Sequence, residues 1–176
     1  MEEEVILVNE QDEKTGIMEK LEAHRKGILH RAFSIFIFNN KNEMLLQQRA
    51  VNKYHSGGLW TNACCSHPRP GEETEAAAVR RLKEELGSET PLEKIFNFTY
   101  KASFENGLME YEFDHVFFGM YDGAVVQNEE EVMNFQFETV EKIAERITLE
   151  PENFTAWFRI AFPGVKRWYK NVWSSL

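Results

Sequence analysis

The chain has 176 residues, 43% of them hydrophobic, which is enough to bury one core and within the size of a single domain. Its formal net charge of -9 argues against a general nucleic-acid binder, which needs an extended basic surface, so an anionic ligand has to be met by a local basic pocket. An acidic start, MEEEVILVNEQDEK, and no apolar run near the ~20 residues that span a bilayer predict a soluble, cytoplasmic protein that engages no membrane.

No repeat, low-complexity tract or Pro/Gly/Ser-rich linker divides the chain, which predicts one domain over 1–176, with a core at about 30–140 and C-terminal helices at about 139–170. In chain order, AFSIFIF (32–38) and MLLQQRA (44–50) read as a hairpin around the turn NNKNE, near the centre of a sheet. The only cysteines, Cys64 and Cys65, are neighbours, and a strained disulfide between neighbours staples nothing, so both are expected as thiols. After Pro70-Gly71, EETEAAAVRRLKEELG places Ala76, Val79, Leu82 and Leu86 at helical spacing, starts acidic and stops at Gly87. The segments KIFNFTYKASF and LMEYEFDHVFFGMY, between 94 and 121, flank Glu105-Asn106-Gly107, a hairpin turn signal. Glu110 and Glu112 then share one strand face. Residues 131–137 read as a strand, and 139–147 and 153–170 as helices, the second kinked or interrupted by Pro163. The fold class expected is α/β, a mixed sheet sandwiched between helices.

Cys65-Ser66-His67 places a thiol two residues from an imidazole, and Pro68 biases His67 to extended backbone, so alternation turns both side chains to one side. A lone cysteine is more often a small buried apolar residue, and the neighbours are what raise the alternative. His24, His30 and His67 precede or flank strands that can approach Glu110 and Glu112, and imidazoles with carboxylates suit Mn²⁺ or Zn²⁺ better than Ca²⁺. His55 and His115 are read as ordinary structural histidines. Lys20, Arg49, Lys53, Ser66 and Arg81 are candidates to hold a diphosphate if the fold gathers them around one pocket; singly, each cation reads as surface charge.

RRLKEELG (80–87) resembles the core of the Nudix box, G-x5-E-x7-R-E-U-x-E-E-x-G-U, in which a helix presents glutamates to a diphosphate-bound divalent ion. Aligned on Glu84, Glu85 and Gly87, the box puts Glu72 on its first glutamate, Ser66 on its first glycine and Arg81 on the glutamate after the arginine. Replacing that acid by a cation removes a negative charge from the hydrolytic site and adds a positive one, which argues against diphosphate hydrolysis. With W-T-N-A-C-C-S-H-P (60–68), the chain resembles the type 1 isopentenyl diphosphate isomerases of isoprenoid biosynthesis, which share the Nudix fold without hydrolysing their substrate. The likeness runs from about Lys20 to about Trp157. It implies metal ligands His24, His30, His67, Glu110 and Glu112, with Mn²⁺ or Zn²⁺ bound there. It also implies catalytic Cys65 and Glu112, with Tyr100 assisting the acid. Diphosphate contacts would be Lys20, Arg49, Lys53, Ser66 and Arg81, Glu85 would ligate a substrate-linked Mg²⁺, and Trp157 would wall the reacting carbons. The implied partner is a small isoprenoid diphosphate, and the implied state a monomer or weak homodimer. One departure is Ser56-Gly57-Gly58-Leu59, where the family usually has a Phe-Pro-Gly stretch. The competing readings are a Nudix hydrolase, for which Glu72, Glu84 and Glu85 argue, and a noncatalytic binding module.

Overall fold

A computed structural model describes residues 3–173. Strands β1 (Glu4–Val8) and β2 (Lys14–Glu19) pair antiparallel and lead into the short helix α1 (Lys20–Lys26). The Glu19 carboxylate caps α1 by accepting from the Leu21 and Glu22 amides, and Gly27 ends the helix at φ 61°, a left-handed conformation that glycine adopts without Cβ strain. Sequence patterning had marked none of these elements.

Strand β3 (His30–Phe38) is the axis of the sheet. One edge pairs in parallel with β8 (Met109–Met120), from His30 opposite Glu112 to Phe38 opposite Met120. The other edge meets β1 at His30, β6 (Cys64–Ser66) over Phe33, Ser34 and Ile35, and β4 (Glu43–Arg49) only at Phe38 opposite Met44. The turn expected between 38 and 44 is present, with the Asn39 side chain accepting from the Lys41 and Glu43 amides. The two strands then splay, because β6 takes over the edge of β3 while β5 (Trp60–Thr61) and β9 (Val132–Thr139) both pair with β4. Strand β7 (Glu93–Ser103) forms the expected hairpin with β8, and Gly107 in its turn has φ 79°.

Alternation along β3 divides the core between two faces. Phe33, Ile35 and Ile37 pack with Ala77, Ala78, Leu82 and Leu86 of α2 (Thr74–Leu86). Phe36 and Phe38 pack with Trp157, Phe158, Ala161, Phe162 and Val165 of α4 (Ala156–Trp173) and with Val140 and Ile143 of α3 (Val140–Leu149). The mixed sheet between helices is therefore as expected. On α2, however, Ala76 is exposed and Val79 half-buried: the inner face is turned so that Ala77 and Ala78 allow close approach to the sheet, and Glu85 is carried inside beside Leu82. Pro163 does not interrupt α4, which runs through it, because Pro163 and Arg159, whose carbonyl loses its helical partner, both lie on the solvent side.

The loop that departs from Phe-Pro-Gly is stapled rather than loose. The Gly58 amide donates to the Arg49 carbonyl at 3.0 Å, the Arg49 amide to Leu59 at 2.9 Å, and Gln48 Nε2 to the Gly58 carbonyl at 2.9 Å. Gly58 has φ 79°, and a Cβ at Gly57 would run into the Val51 carbonyl. Gly57→Ala is therefore expected to cost ~1–3 kcal/mol, a fall of roughly 2–12 °C in Tm for a chain of this size, read by thermal unfolding. A Tm equal to the parent's would mean that the loop backbone yields to the methyl group.

Candidate active site

The face of the sheet under α4 opens, at the His30 end of β3, into a pocket lined by Arg49, His55, Cys65, His67, Tyr100, Glu110, Glu112 and Trp157 among others. Each side chain is placed by an element already described. α1 carries His24 into the interior, β3 begins with His30, His67 follows β6, and β8 projects Glu110 and Glu112 on alternate positions of one face. His24, His30, His67 and Glu112, all buried, offer ligand atoms within 4.8 Å of one another, and His24, His55 and Glu110 form a second such group.

His67 Nε2 lies 3.0 Å from Glu112 Oε1, and the Nε2 atoms of His30 and His24 lie 3.5 and 4.0 Å from it. The Nδ1 atoms of His24 and His30 bond the backbone carbonyls of Lys20 and Ile28, both at 2.7 Å, which fixes their protons there. Their buried Nε2 atoms have no hydrogen-bond partner among the described residues. Imidazoles tethered through one nitrogen, with the other aimed at a shared point beside carboxylates, are the arrangement a divalent metal requires, so the residues present fit an ion. Burial, with further lowering from His67 and His30, brings His24 down to about 3, and burial with Arg49 brings His55 down to about 3, leaving neutral donors. Burial would also lower His30, but the Glu112 carboxylate outweighs it and the net shift is upward.

The Tyr100 hydroxyl sits 2.6 Å from Glu112 Oε2 and 2.9 Å from Glu110 Oε2, so one phenolic proton is placed between two buried carboxyls. Burial and the Glu112 charge hold the Glu110 carboxyl well above the usual range. For Glu112 burial also acts upward, but the His30 and His67 imidazoles beside it outweigh burial and take it well below. Two like charges this close share their protons as a unit.

Cys65 packs on the Trp157 side of the sheet, whereas Cys64, one residue away, is sealed under α2. The Trp157 Nε1–H donates to Cys65 Sγ at 2.9 Å, and the thiol donates to Asn62 Oδ1 at 3.0 Å. Ser34 Oγ stands 3.5 Å from the sulfur and donates to Asp114 Oδ2 at 2.7 Å. Burial, then Asp114, push the Cys65 thiol up, so isolated from substrate it is protonated.

Among the expected diphosphate contacts, Arg49 and Ser66 line the pocket, Arg49 with its guanidinium 5.1 Å from the centre of the Trp157 ring. Lys53 and Arg81 share the carboxylate of Glu131, and Lys20 holds Glu3 at 2.8 Å. Burial alone would raise Glu3, but Lys20 leads the charges, Arg81 among them, that bring it down to about 2. Two box glutamates are engaged elsewhere: Glu72 by Arg80 at 2.7 Å, and Glu84 by Arg80 at 3.2 Å and Arg81 at 2.8 Å. Glu85 is buried, bonded to Arg81 at 2.6 Å and Gln47 at 2.8 Å. His55, read from sequence as a structural histidine, instead lies in the site, 3.1 Å from Glu110 Oε1, while His115 pairs with Asp12 away from it. Ser34, Asn62 and Glu131 were also missed. Asp114 had a visible signal, since it continues the alternation of Glu110 and Glu112 on β8.

The NUDIX domain model matches residues 28–158, and with this site it defines the class: the chain belongs to the Nudix family. Its fold is similar to a crystal structure of a Deinococcus radiodurans protein (TM-score 0.71, 22% identity, covering 84% of this chain and 90% of that one). It is also similar to that of a MutT protein from Methanosarcina mazei (0.67, 22%, covering 81% and 96%). The isopentenyl-diphosphate Delta-isomerase of Pectobacterium atrosepticum is 50% identical, covering 95% of this chain and 93% of its own. Isopentenyl-diphosphate Delta-isomerase 2 of Photorhabdus laumondii is 45% identical, covering 98% and 100%. Within the Nudix family, the chain is thus a member of the isopentenyl-diphosphate Delta-isomerases.

Neutral buried histidines link stability to pH. The unfolded chain protonates His24 and His55 below their ordinary 6.5, whereas the folded chain declines those protons until about 3, so stability falls as pH drops through that window. Each contributes a slope of up to ~1.4 kcal/mol per pH unit, with His30 acting in the opposite sense. Urea unfolding of metal-free protein at pH 7 and pH 5 is expected to show the loss, reduced in His24→Gln. Equal midpoints at both pH values would contradict the neutral, buried assignment.

Proposed function

We propose that Cys65 and the Glu112–Tyr100 pair are the two proton-handling groups with which this chain isomerises isopentenyl diphosphate to dimethylallyl diphosphate. In that reaction a proton adds to the end methylene carbon, positive charge develops on the neighbouring tertiary carbon, and loss of an allylic proton from the next carbon forms the new double bond. An isolated alkene is a very weak base, so the donor has to be strong, fixed and shielded from water. The observation that carries the assignment is that one pocket is lined by the Cys65 thiol, the Glu110–Tyr100–Glu112 unit and the Trp157 indole together. The ionised Glu112 and the Cys65 thiol are the state that starts the reverse reaction, in which Cys65 gives the proton to the allylic carbon and Glu112 takes one from the methyl group; the forward reaction uses the opposite state, with the proton on the Glu112–Tyr100 unit and Cys65 as thiolate.

A divalent ion held by His24, His30, His67, Glu110 and Glu112, which we assign as Mn²⁺ or Zn²⁺, supplies positive charge that alters the proton affinity of the Glu112 carboxyl. Lys20, Arg49, Lys53, Ser66 and Arg81 bind the diphosphate, and the buried Glu85 carboxylate, oriented by Arg81 and Gln47, holds its Mg²⁺. Glu72 and Glu84 are neutralised by Arg80 and Arg81, which supports isomerisation over hydrolysis at the box. No helix among the described residues is long and apolar enough to cross a membrane. Proton NMR of isopentenyl diphosphate with metal added tests the reading: dimethylallyl signals are expected to grow without release of phosphate or pyrophosphate. Rapid pyrophosphate release would favour the hydrolase instead.

Cys65→Ala is expected to abolish turnover. Cys64→Ala should retain most of it while losing some thermal stability, because its side chain packs against α2 rather than the pocket. Equal loss of kcat in both variants would sink the assignment of Cys65.

Trp157 is both wall and hydrogen-bond donor. An indole face stabilises a developing cation without capturing it, by ~0.5–2 kcal/mol, and its N–H supports charge on the sulfur. Trp157→Phe is expected to lower kcat about ten-fold, equivalent to ~1.4 kcal/mol, with KM little changed. A variant with a reduced Tm but normal kcat in its folded fraction would assign Trp157 to the core alone.

A further inference from the structure

His55 belongs to no motif and sits in the loop between Arg49 and Leu59, yet its ring is 5% exposed and points into the pocket. We propose that His55 is an additional ligand of the metal centre, joining through Nε2 on the Glu110 side so that four imidazoles and two carboxylates surround the ion. The inference rests on the reading that the His/Glu cluster holds a divalent ion.

Three observations carry it. First, His55 Nε2 is buried without a hydrogen-bond partner among the described residues, although it stands 3.1 Å from Glu110 Oε1. The ring nitrogen thus stands beside the Glu110 carboxyl without a hydrogen bond between them, and a cation held by both would satisfy this buried nitrogen.

Second, His55 Nδ1 lies 3.1 Å from Ser56 Oγ, which can take the ring proton as the carbonyls of Lys20 and Ile28 do for His24 and His30. All three rings thus have a polar partner at Nδ1 and none at Nε2, the pattern of metal-ligating histidine. Third, the ring is clamped. It stacks on Phe104 at 4.3 Å and 9°, and meets Tyr54 and Trp157 edge-on at 4.4 and 5.9 Å.

His24, His55 and Glu110 have ligand atoms within 4.8 Å of one another, and His24 is also in the group with His30, His67 and Glu112. The single lone pair of His24 Nε2 serves one ion at a time, so the two groups are halves of one site rather than two sites. The extra nitrogen should shift preference toward Co²⁺ and Zn²⁺ and away from Mg²⁺ and Mn²⁺, following ligand softness and the Irving–Williams order.

Titration of the full chain with Co²⁺ tests this without reference to turnover. Each ligating histidine that keeps its Nδ1 proton gives one strongly shifted, exchangeable N–H resonance in proton NMR. Four are expected for the parent and three for His55→Gln, with Co²⁺ affinity weakened by roughly ten- to hundred-fold. His115→Gln, which alters a histidine paired with Asp12, should match the parent. Three resonances in the parent, or unchanged affinity in His55→Gln, would overturn the proposal while leaving the rest of the metal centre intact. A parent that binds no Co²⁺ would overturn both. If His55→Gln fails to fold, the parent's count alone decides.

Discussion

The pairing of β3 with different partners on its two edges is the constraint on which the site depends. The parallel ladder with β8 sets His30 opposite Glu112. The short antiparallel ladder with β6 sets Ser34 opposite Cys65 and leads to His67. A slip of one residue in either ladder would turn Glu112 or Cys65 to the α2 face, where Phe33, Ile35 and Ile37 are packed. The hydrophobic alternation of β3 therefore holds the chemistry in register, since the slip would also expose the aromatic side chains to the wrong layer. The splaying of the β3–β4 hairpin after Phe38 is the condition for this, because it frees the edge that β6 uses.

The same geometry gathers Glu110, Glu112 and Asp114 on one buried strand face. Burial of carboxylates is unfavourable unless they are paired, and here the pairing comes from sparse resources: imidazoles, the Tyr100 hydroxyl and the Ser34 hydroxyl. Asp114 Oδ1 has no partner among the described residues, and burial followed by the Glu112 charge raises its carboxyl well above the ordinary range. Without added positive charge the pocket is a locally strained part of a fold whose stability is supplied by two large apolar layers around it.

Much of this was legible in the residues. The β7–β8 hairpin announced itself through Glu105-Asn106-Gly107, α2 through its acidic start and Gly87, and the C-terminal helices through their apolar spacing. The Glu110/Glu112 face followed from strand alternation alone. What was not legible depended on contacts between distant segments. His55 has no spacing relation to Glu110, and only the fold of the Arg49–Leu59 loop brings them together. The Ala76 assignment failed because propensity and spacing fix a helix but not its rotation to within one residue, and the small Ala77 and Ala78 decided it by allowing close packing. The first 30 residues gave no pattern because β1, β2 and α1 are short, and their burial is set by β3.

Asn62 shows what a buried amide does for a sulfur. Its Nδ2 donates to the carbonyls of Ile35 and Cys64, at 3.0 and 2.9 Å, so the amide cannot flip, and its Oδ1 faces the thiol. On another side the indole N–H of Trp157 can only donate. The sulfur is thus flanked by one fixed acceptor and one fixed donor, the first matched to S–H and the second to S⁻. Neither state is left without a partner, and passing between them needs no rotation of a neighbouring side chain. Burial and Asp114 still favour the thiol, but the dipoles that each protonation state needs are already in place around the sulfur.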